Sequence, residues 1–343
     1  MTAAVLYGKE NLRVEQIPVP AILPDEVLIR VKTALTCGTD LKVYRQGCHA
    51  RMIVPPAVFG HELAGVVEEA GAEVRNFRKG MRVVAANSAP CMECRYCLRN
   101  RPNLCERLLF NNGAYAEFIR IPGQIVRENM LEIPHHVDFA DAALTEPLAC
   151  VLRGIEETGM QSGDTVAIMG MGPIGLMFVR VAKLKGARVI AVAKRPTRVA
   201  AALRMGADEV VDAAEVDDVV AEVRKRTEGG MGVDVAVEAV GSPPTWEAAV
   251  GMVSRGGTVN FFGGCPSGSV IHLDAGLLHY SEITLKASFH HTPAYIRKAL
   301  EYIGRRDIRG ADFITGTAPL TRLPEVLQRM AHRNGDLKMA IVP

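Results

Sequence analysis

The segment VAIMGMGPIGL, residues 166–176, constrains this chain more than any other stretch. An apolar run ends in Gly170-x-Gly172-x-x-Gly175, with Pro173 and Ile174 inside the pattern. The following GPIGLMFVRVAKLKG has the spacing of a helix that opens on glycines. In that context each glycine has a use. The first allows a tight turn, the second lets a pyrophosphate approach the backbone at the helix N-terminus, and the third lets helix and strand pack closely. A glycine-rich strand–helix turn without a ligand is the plainer alternative. The downstream sequence favours the nucleotide reading. ARVIAVA, EVVDA, DVAVEAV and GTVNFFG read as strands, alternating with the helical segments PTRVAAALRMG, VDDVVAEVRKRTEG and PTWEAAVGMV. Such alternation predicts an α/β fold with a doubly wound parallel sheet. Val240 and Phe262, at the ends of the last two strands, join the expected cofactor-binding set.

In dinucleotide-binding folds an acidic residue about 20 positions on accepts hydrogen bonds from the ribose 2′-hydroxyl. Here RVIAVAKRPTR places Ala193 at the strand end, followed by Lys194, Arg195 and, further on, Arg198. A carboxylate there would repel a 2′-phosphate, whereas guanidinium and ammonium groups attract one. The stretch therefore suggests NADP in preference to NAD. A solvated basic helix start that accepts either cofactor is the competing reading.

The chain has 343 residues, more than one ordinary core, so two domains are expected. Its first 125 or so residues have a different texture, with short β segments AAVLY, EVLIRVKTAL, ELAGVVEEAG, MRVVAA and YAEFIRI broken by Gly and Pro. After about residue 290 come two amphipathic helical segments, AYIRKALEYIGRR and LPEVLQRMAHR, and a last strand, KMAIVP. An α/β domain is thus inserted between two parts of a β-rich domain. With 40 basic and 38 acidic residues the net charge is +2, which gives no global attraction to nucleic acid or membranes. The longest apolar run is too short and too glycine-rich to span a bilayer, and polar residues come too early for a signal peptide. A cytoplasmic location is expected.

Eight cysteines are present, four of them in CMECRYCLRNRPNLC as Cys91, Cys94, Cys97 and Cys105. Thiolates at this spacing can close a tetrahedral structural zinc site. An iron–sulfur cluster is the rival, but its usual pattern has a nearer fourth cysteine followed by Pro, and Glu106 follows here. A second set is dispersed: Cys37 in TCGTD, His61 and Glu62 in FGHELAG, and Glu146 in TEPLAC. Alone each is weak, since a single His in a β-rich domain is more often packed and a Glu before Pro often starts a helix. Together a Cys, a His and a Glu could hold a catalytic zinc with one open position. Cys150 and Cys265 read as buried hydrophobes, and Cys48 has no evident partner.

The motifs CGTD, GHELAGVVEEAG, the four-cysteine lobe, GAYAEFIRIP, TEPLAC, GMGPIGL and GTVNFFG together resemble the zinc-dependent medium-chain dehydrogenase/reductase family over essentially the full length. Within it the chain is more similar to sorbitol, threonine and bacterial secondary-alcohol dehydrogenases than to animal ethanol enzymes. The resemblance implies a GroES-like catalytic domain over 1–148 and 290–343, with a zinc lobe at about 88–110, and a Rossmann domain over 149–289. The active site would lie in the cleft between them. It implies two zinc ions per chain. Cys37 and His61 match catalytic ligands, Glu62 a ligand that comes and goes, Glu146 a position that binds zinc or its water, and Thr39 the hydroxyl that bonds the substrate oxygen. Where many relatives carry a proton-passing His, this chain has Lys42. Tyr44, Arg45, His49, Phe110 and Phe289 are candidates to line the substrate pocket, each equally readable as packing. His290 and His291, in SFHHTP, receive no role beyond proximity to the nicotinamide. A homotetramer, or a dimer, follows by analogy.

The expected activity is hydride transfer between a secondary alcohol or polyol, or its ketone, and NADP(H) or NAD(H). An NAD-dependent threonine or sorbitol-type dehydrogenase is the alternative. A quinone or enoyl reductase would lack Cys37, His61 and the lobe. A non-catalytic cofactor-binding or sensing protein would have little reason to keep an open zinc site.

Overall fold

The computed structural model describes residues 1–48, 53–332 and 335–343. His49 lies outside the described residues. The chain divides into two compact units, one formed by Met1–Ala149 with His291–Pro343, the other by Cys150–His290.

The first unit is built around a seven-stranded sheet. Its strands run in the order Met130–Glu132, Arg82–Ala85, Glu62–Ala70, Val27–Leu35, Lys338–Val342 and Ile314–Pro319, with Phe118–Ile121 also pairing with Val27–Leu35. The central strand Val27–Leu35 buries one face throughout, at Val27, Ile29, Val31, Thr33 and Leu35, and exposes Arg30 and Lys32 on the other, which explains the alternation in its middle. It is completed by residues from the far end of the sequence, since Leu35 pairs with Ala340. The helix Gly38–Gln46 follows directly, with Cys37 at its N-cap, and ends at Gly47 in the left-handed conformation. No sequence pattern anticipates this helix. Its polar run TDLKVYRQ carries little apolar periodicity, and its buried residues are Asp40, Val43 and Tyr44.

The second unit contains six parallel strands in the order Glu209–Asp212, Arg188–Ala193, Thr165–Met169, Val233–Glu238, Val253–Phe261 and Thr284–Ala287. The strand order reverses between Thr165–Met169 and Val233–Glu238, and dinucleotides bind at the carboxyl ends of strands at such a switch. The helix expected from residue 216 begins at Val219, because the Asp218 side chain accepts the Ala221 N–H at 3.0 Å and caps it. The edge strand Thr284–Ala287 and the short helix Ala275–Tyr280 were not foreseen; both are largely exposed and carry no strong period. The single tryptophan, Trp246, stacks on Phe261 at 4.1 Å and donates its indole N–H to Gly263 O at 2.9 Å.

Cys150 and Cys265 are half-buried, not the buried hydrophobes expected of them. Cys150 sits on the helix Thr145–Glu157 and Cys265 in the loop after Val253–Phe261. Cys48 is exposed.

Candidate active site and metal centres

The four lobe sulfurs converge without help from distant residues. Cys94 caps the short helix Arg95–Leu98, and Pro102–Leu104 forms a 3-10 turn that returns Cys105. Sulfur separations are 3.6 Å for Cys94–Cys97, 3.8 Å for Cys94–Cys105 and 3.4 Å for Cys105–Cys91. Ligands about 2.3 Å from a tetrahedral zinc stand about 3.8 Å apart, so the donor set fits that ion. The N–H groups of Cys91 and Arg107 point at the Cys105 sulfur, at 3.2 and 3.3 Å. N–H donors at Cys97 and Glu106 pull the Cys94 thiol down to about 6, while burial pushes Cys97 up to about 12.

The second centre is assembled from separate elements. Cys37 comes from the end of a strand and the start of a helix, and His61 and Glu62 come from the start of the neighbouring strand Glu62–Ala70. The pairing of Leu35 with Glu62 brings the two segments side by side. One ligand atom each from Cys37, His61 and Glu62 lies within 4.8 Å of the others. A thiol, an imidazole and a carboxylate at this separation suit a zinc ion. His61 Nδ1 is 2.9 Å from Asp40 Oδ1, and the Tyr115 hydroxyl donates to Asp40 Oδ2 at 2.5 Å. Burial works to lower the His61 pKa, but the charges of Asp40 and Cys37 outweigh it and hold it well above the ordinary value. A metal binding there must therefore displace a proton.

Lys338 is the unexpected member. Its Nζ lies 2.6 and 2.5 Å from the two Glu62 oxygens and donates to Thr36 O at 3.1 Å. Both side chains are buried. Burial opposes the Lys338 charge, but the Glu62 carboxylate outweighs it and raises the Lys338 pKa. The pair is ionic, and both oxygens of Glu62 are engaged by the ammonium group.

Glu146 is also buried, and burial pushes its carboxyl up to about 7. Its Oε1 is 3.9 Å from His291 Nε2, which lies 3.1 Å from Asn87 Oδ1. His291 is thus placed by polar neighbours in a buried spot. Thr39 is half-buried in the first turn of the helix after Cys37, and Lys42 is exposed. Tyr44 belongs to the core and Arg45 donates to Ala331 O on the surface, so neither has the surroundings of a pocket lining. Phe110 is half-buried on the strand Leu109–Phe110. Phe289 is 48% exposed and stacks on His290 at 5.5 Å.

In the second unit the glycine loop has the three environments its sequence demands. Gly170 has φ +97°, and a Cβ there would come within 2.6 Å of Val240 Cγ2. A Cβ on Gly172 would meet nothing within 4 Å, which leaves its backbone open at the N-cap of the helix Pro173–Leu184. A Cβ on Gly175 would fall 1.7 Å from Gly170 O. Pro173 and Ile174 form the first turn of that helix. Ala193 ends the adjacent strand, where Gly170 N donates to Val192 O at 3.1 Å. Lys194 is exposed, and Arg195 and Arg198 are half-buried around the start of the helix Pro196–Arg204. Across the ladder from Ala193 stands Asp212, whose carboxylate accepts the Ala214 N–H at 3.0 Å. Val240 is 48% exposed beside the loop, while the Phe262 ring packs edge-on against Phe178 at 4.9 Å.

Residues 23–133 match the alcohol dehydrogenase GroES-like domain and residues 173–305 the zinc-binding dehydrogenase domain. Sorbitol dehydrogenase of Bacillus subtilis (strain 168) is 33% identical over 100% of this chain and 97% of its own length. The chain belongs to the zinc-dependent medium-chain alcohol dehydrogenase family. L-threonine 3-dehydrogenase of Bacillus licheniformis is 36% identical over 74% of this chain and 73% of its own. A zinc-binding dehydrogenase from Sinorhizobium meliloti 1021, solved bound to NADP, is 31% identical with TM-score 0.91, over 100% of this chain and 99% of that one. As a member of this family the protein is an oxidoreductase, a zinc-type alcohol dehydrogenase that uses a nicotinamide cofactor. No helix among its described residues is long and apolar enough to cross a membrane.

Sequence reasoning missed four residues that shape the dehydrogenase's sites. Asp40 and Tyr115 stand inside the motifs CGTD and GAYAEFIRIP, but nothing in the motifs singles them out. Lys338 gives a usable signal, a lone charge opening the apolar strand KMAIV. Glu238 is fully buried at a strand end and accepts from the N–H groups of Val240 and Gly241 and from the Thr245 hydroxyl, tying the loop beside Gly170.

Proposed function

We propose that this chain interconverts a secondary alcohol or polyol and its ketone, with NADP(H) preferred over NAD(H), and that it holds two zinc ions. The observation that carries the reading is the Cys37–His61–Glu62 cluster, with its ligand atoms within 4.8 Å. Cys37 and His61 would hold the catalytic ion, with Glu146 close by to bind it or its water. Glu62 would exchange on and off, since Lys338 competes for both its oxygens. Cys91, Cys94, Cys97 and Cys105 would hold the structural ion. A zinc ion in such a site supplies Lewis acidity toward an alcohol or carbonyl oxygen.

The chain's own residues supply placement and proton handling. Thr39 Oγ1, two residues after Cys37, would accept the alcohol proton while its own hydroxyl proton passes on toward the cofactor ribose, and the same relay would run backwards in the reduction. A bound nicotinamide would supply the hydride acceptor or donor, so the oxidation of alcohol to carbonyl would remove one hydride and one proton. Gly172 leaves the backbone open for the pyrophosphate. Lys194, Arg195 and Arg198 supply positive charge at the 2′ position, and the neighbouring Asp212 has its carboxylate turned onto its own turn. The NADP-bound relative supports the same preference. The names of the sorbitol dehydrogenase and L-threonine 3-dehydrogenase relatives support a polyol and an amino alcohol as substrates. A homotetramer or dimer in the cytoplasm completes the proposal.

The test is a fluorescence titration of the purified protein with NADPH and with NADH. Binding of NADPH tighter by tenfold or more, about 1.4 kcal/mol, supports the 2′-phosphate reading. Equal or tighter NADH binding turns the assignment to the threonine or sorbitol type. A panel of polyols, simple secondary alcohols and threonine then separates the substrates.

A further inference from the structure

Asp40 divides its two oxygens between two partners. Oδ1 lies 2.9 Å from His61 Nδ1, and Oδ2 accepts from the Tyr115 hydroxyl at 2.5 Å. Asp40 and Tyr115 are both 0% exposed. A carboxylate has no hydrogen to give, so Nδ1 of His61 carries a proton, and Nε2 is the nitrogen left to a metal that displaces its proton. The orientation of His61 therefore depends on where Asp40 points, and Asp40 is steered from its other oxygen by Tyr115.

Tyr115 is itself fixed from three sides. Its ring meets Phe59 edge-on at 5.1 Å and lies over Gly60, where a Cβ would come within 2.6 Å of Tyr115 Cδ2. Its backbone N–H donates to Phe59 O at 3.0 Å. Its hydroxyl also lies 3.1 Å from Leu35 O. The segment Phe59-Gly60-His61 and the strand end before Cys37 are thus both tied to this one phenol. A residue needed only to fill space would gain nothing from a hydroxyl aimed at a buried carboxylate. Without it, Asp40 Oδ2 loses its donor in a place water does not reach, and the carboxylate must rotate or take up a proton.

We propose that Tyr115 is a positioning residue of the Cys37–His61 centre, whose hydroxyl holds Asp40, and through it His61, in the geometry that retains the metal. This rests on the reading of Cys37 and His61 as zinc ligands. Removing partners that orient a metal-bound His typically costs 10–100-fold in affinity, and Tyr115 acts one step further out.

The experiment compares wild type with Tyr115→Phe, both purified as the full zinc-loaded chain. Zinc is counted by elemental analysis, and its release to the dye 4-(2-pyridylazo)resorcinol is followed in time. Cys37→Ser identifies the release phase of the Cys37–His61 centre, and the four-cysteine lobe serves as internal control. The expected result is release from that centre faster by roughly 3–30-fold, with the lobe phase unchanged. Release within twofold of wild type overturns the proposal, as does equal acceleration at both sites, which would mean general loosening. Should Tyr115→Phe fail to fold, Asp40→Asn tests the same link with the shape kept, and unchanged release in that variant overturns the proposal. If wild type itself holds zinc only in the lobe, the zinc-ligand reading of Cys37 and His61 fails instead.

Discussion

All four lobe sulfurs come from Cys91–Cys105, whereas the Cys37 centre draws on residues 37, 40, 61, 62, 115 and 338. The lobe is satisfied locally: backbone N–H groups of the same loop point at its sulfurs. The Cys37 centre is satisfied only by tertiary structure, and it carries two buried ionisable partners, Asp40 and Lys338. The difference teaches what each site can tolerate. A local metal loop stands or falls as a unit and leaves the chemistry alone. A dispersed centre transmits any disturbance of the sheet into the reaction.

Replacing Cys37 by Ser or His61 by Ala should break the contrast most sharply. Turnover should fall by about 10³-fold or more, as expected when a Lewis-acid site is lost. Zinc content should drop by one per chain, with nicotinamide binding unchanged. Retained activity in either variant would refute the dispersed centre. Lys338→Met comes next. It leaves Glu62 buried without its counter-ion, and breaking such a pair costs about 3–5 kcal/mol. Denaturant unfolding should show it, and Lys338→Arg should restore most of the loss.

The Glu146 carboxyl gives a pH-dependent effect of about 3 kcal/mol in the zinc-stripped protein. Its folded pKa of about 7 lies above the ordinary 4.5, because burial favours the neutral acid. The stability it contributes is fully present below pH 4.5 and is lost as pH rises through 7. Glu146→Gln should flatten that part of the stability–pH curve, and an unchanged slope would exclude Glu146 as its source. Cys94→Ser should lower the melting temperature by on the order of 5 °C, while turnover per folded chain stays within about twofold. A variant as heat-stable as wild type would remove the structural role of the lobe. The smallest effect belongs to the second unit: Arg195→Ala should weaken NADPH binding by about tenfold, or 1.4 kcal/mol, and leave NADH binding unchanged.

The same contrast governs what could be read from the sequence. The parallel sheet is legible because each strand and helix repeats a period within its own residues, and the glycine loop because each glycine answers a local demand. The lobe is legible because its spacing is its geometry. The Cys37 centre is only half legible. Cys37, His61, Glu62 and Glu146 carry donor atoms that a reader can suspect, but the Glu62–Lys338 pair spans 276 positions. Tyr115 hides in a motif in which Gly113 and Ala114 donate only backbone N–H groups, both to Gly60 O. The helix Gly38–Gln46 was missed because it is nine residues long and polar. A helix that short forms when packing holds it, not from its own propensity.

The pairing of the central strand Val27–Leu35 with Lys338–Val342 also bears on how the chain is made. Synthesis proceeds from the N-terminus, and domains fold as units while it continues. Residues 150–290 are complete before Lys338 is translated, so the second unit can close while the first still lacks the strands Ile314–Pro319 and Lys338–Val342. Until then Glu62 has no ammonium partner. The nascent chain can therefore complete its parallel-sheet unit before the surroundings of Cys37, His61 and Glu62 are finished.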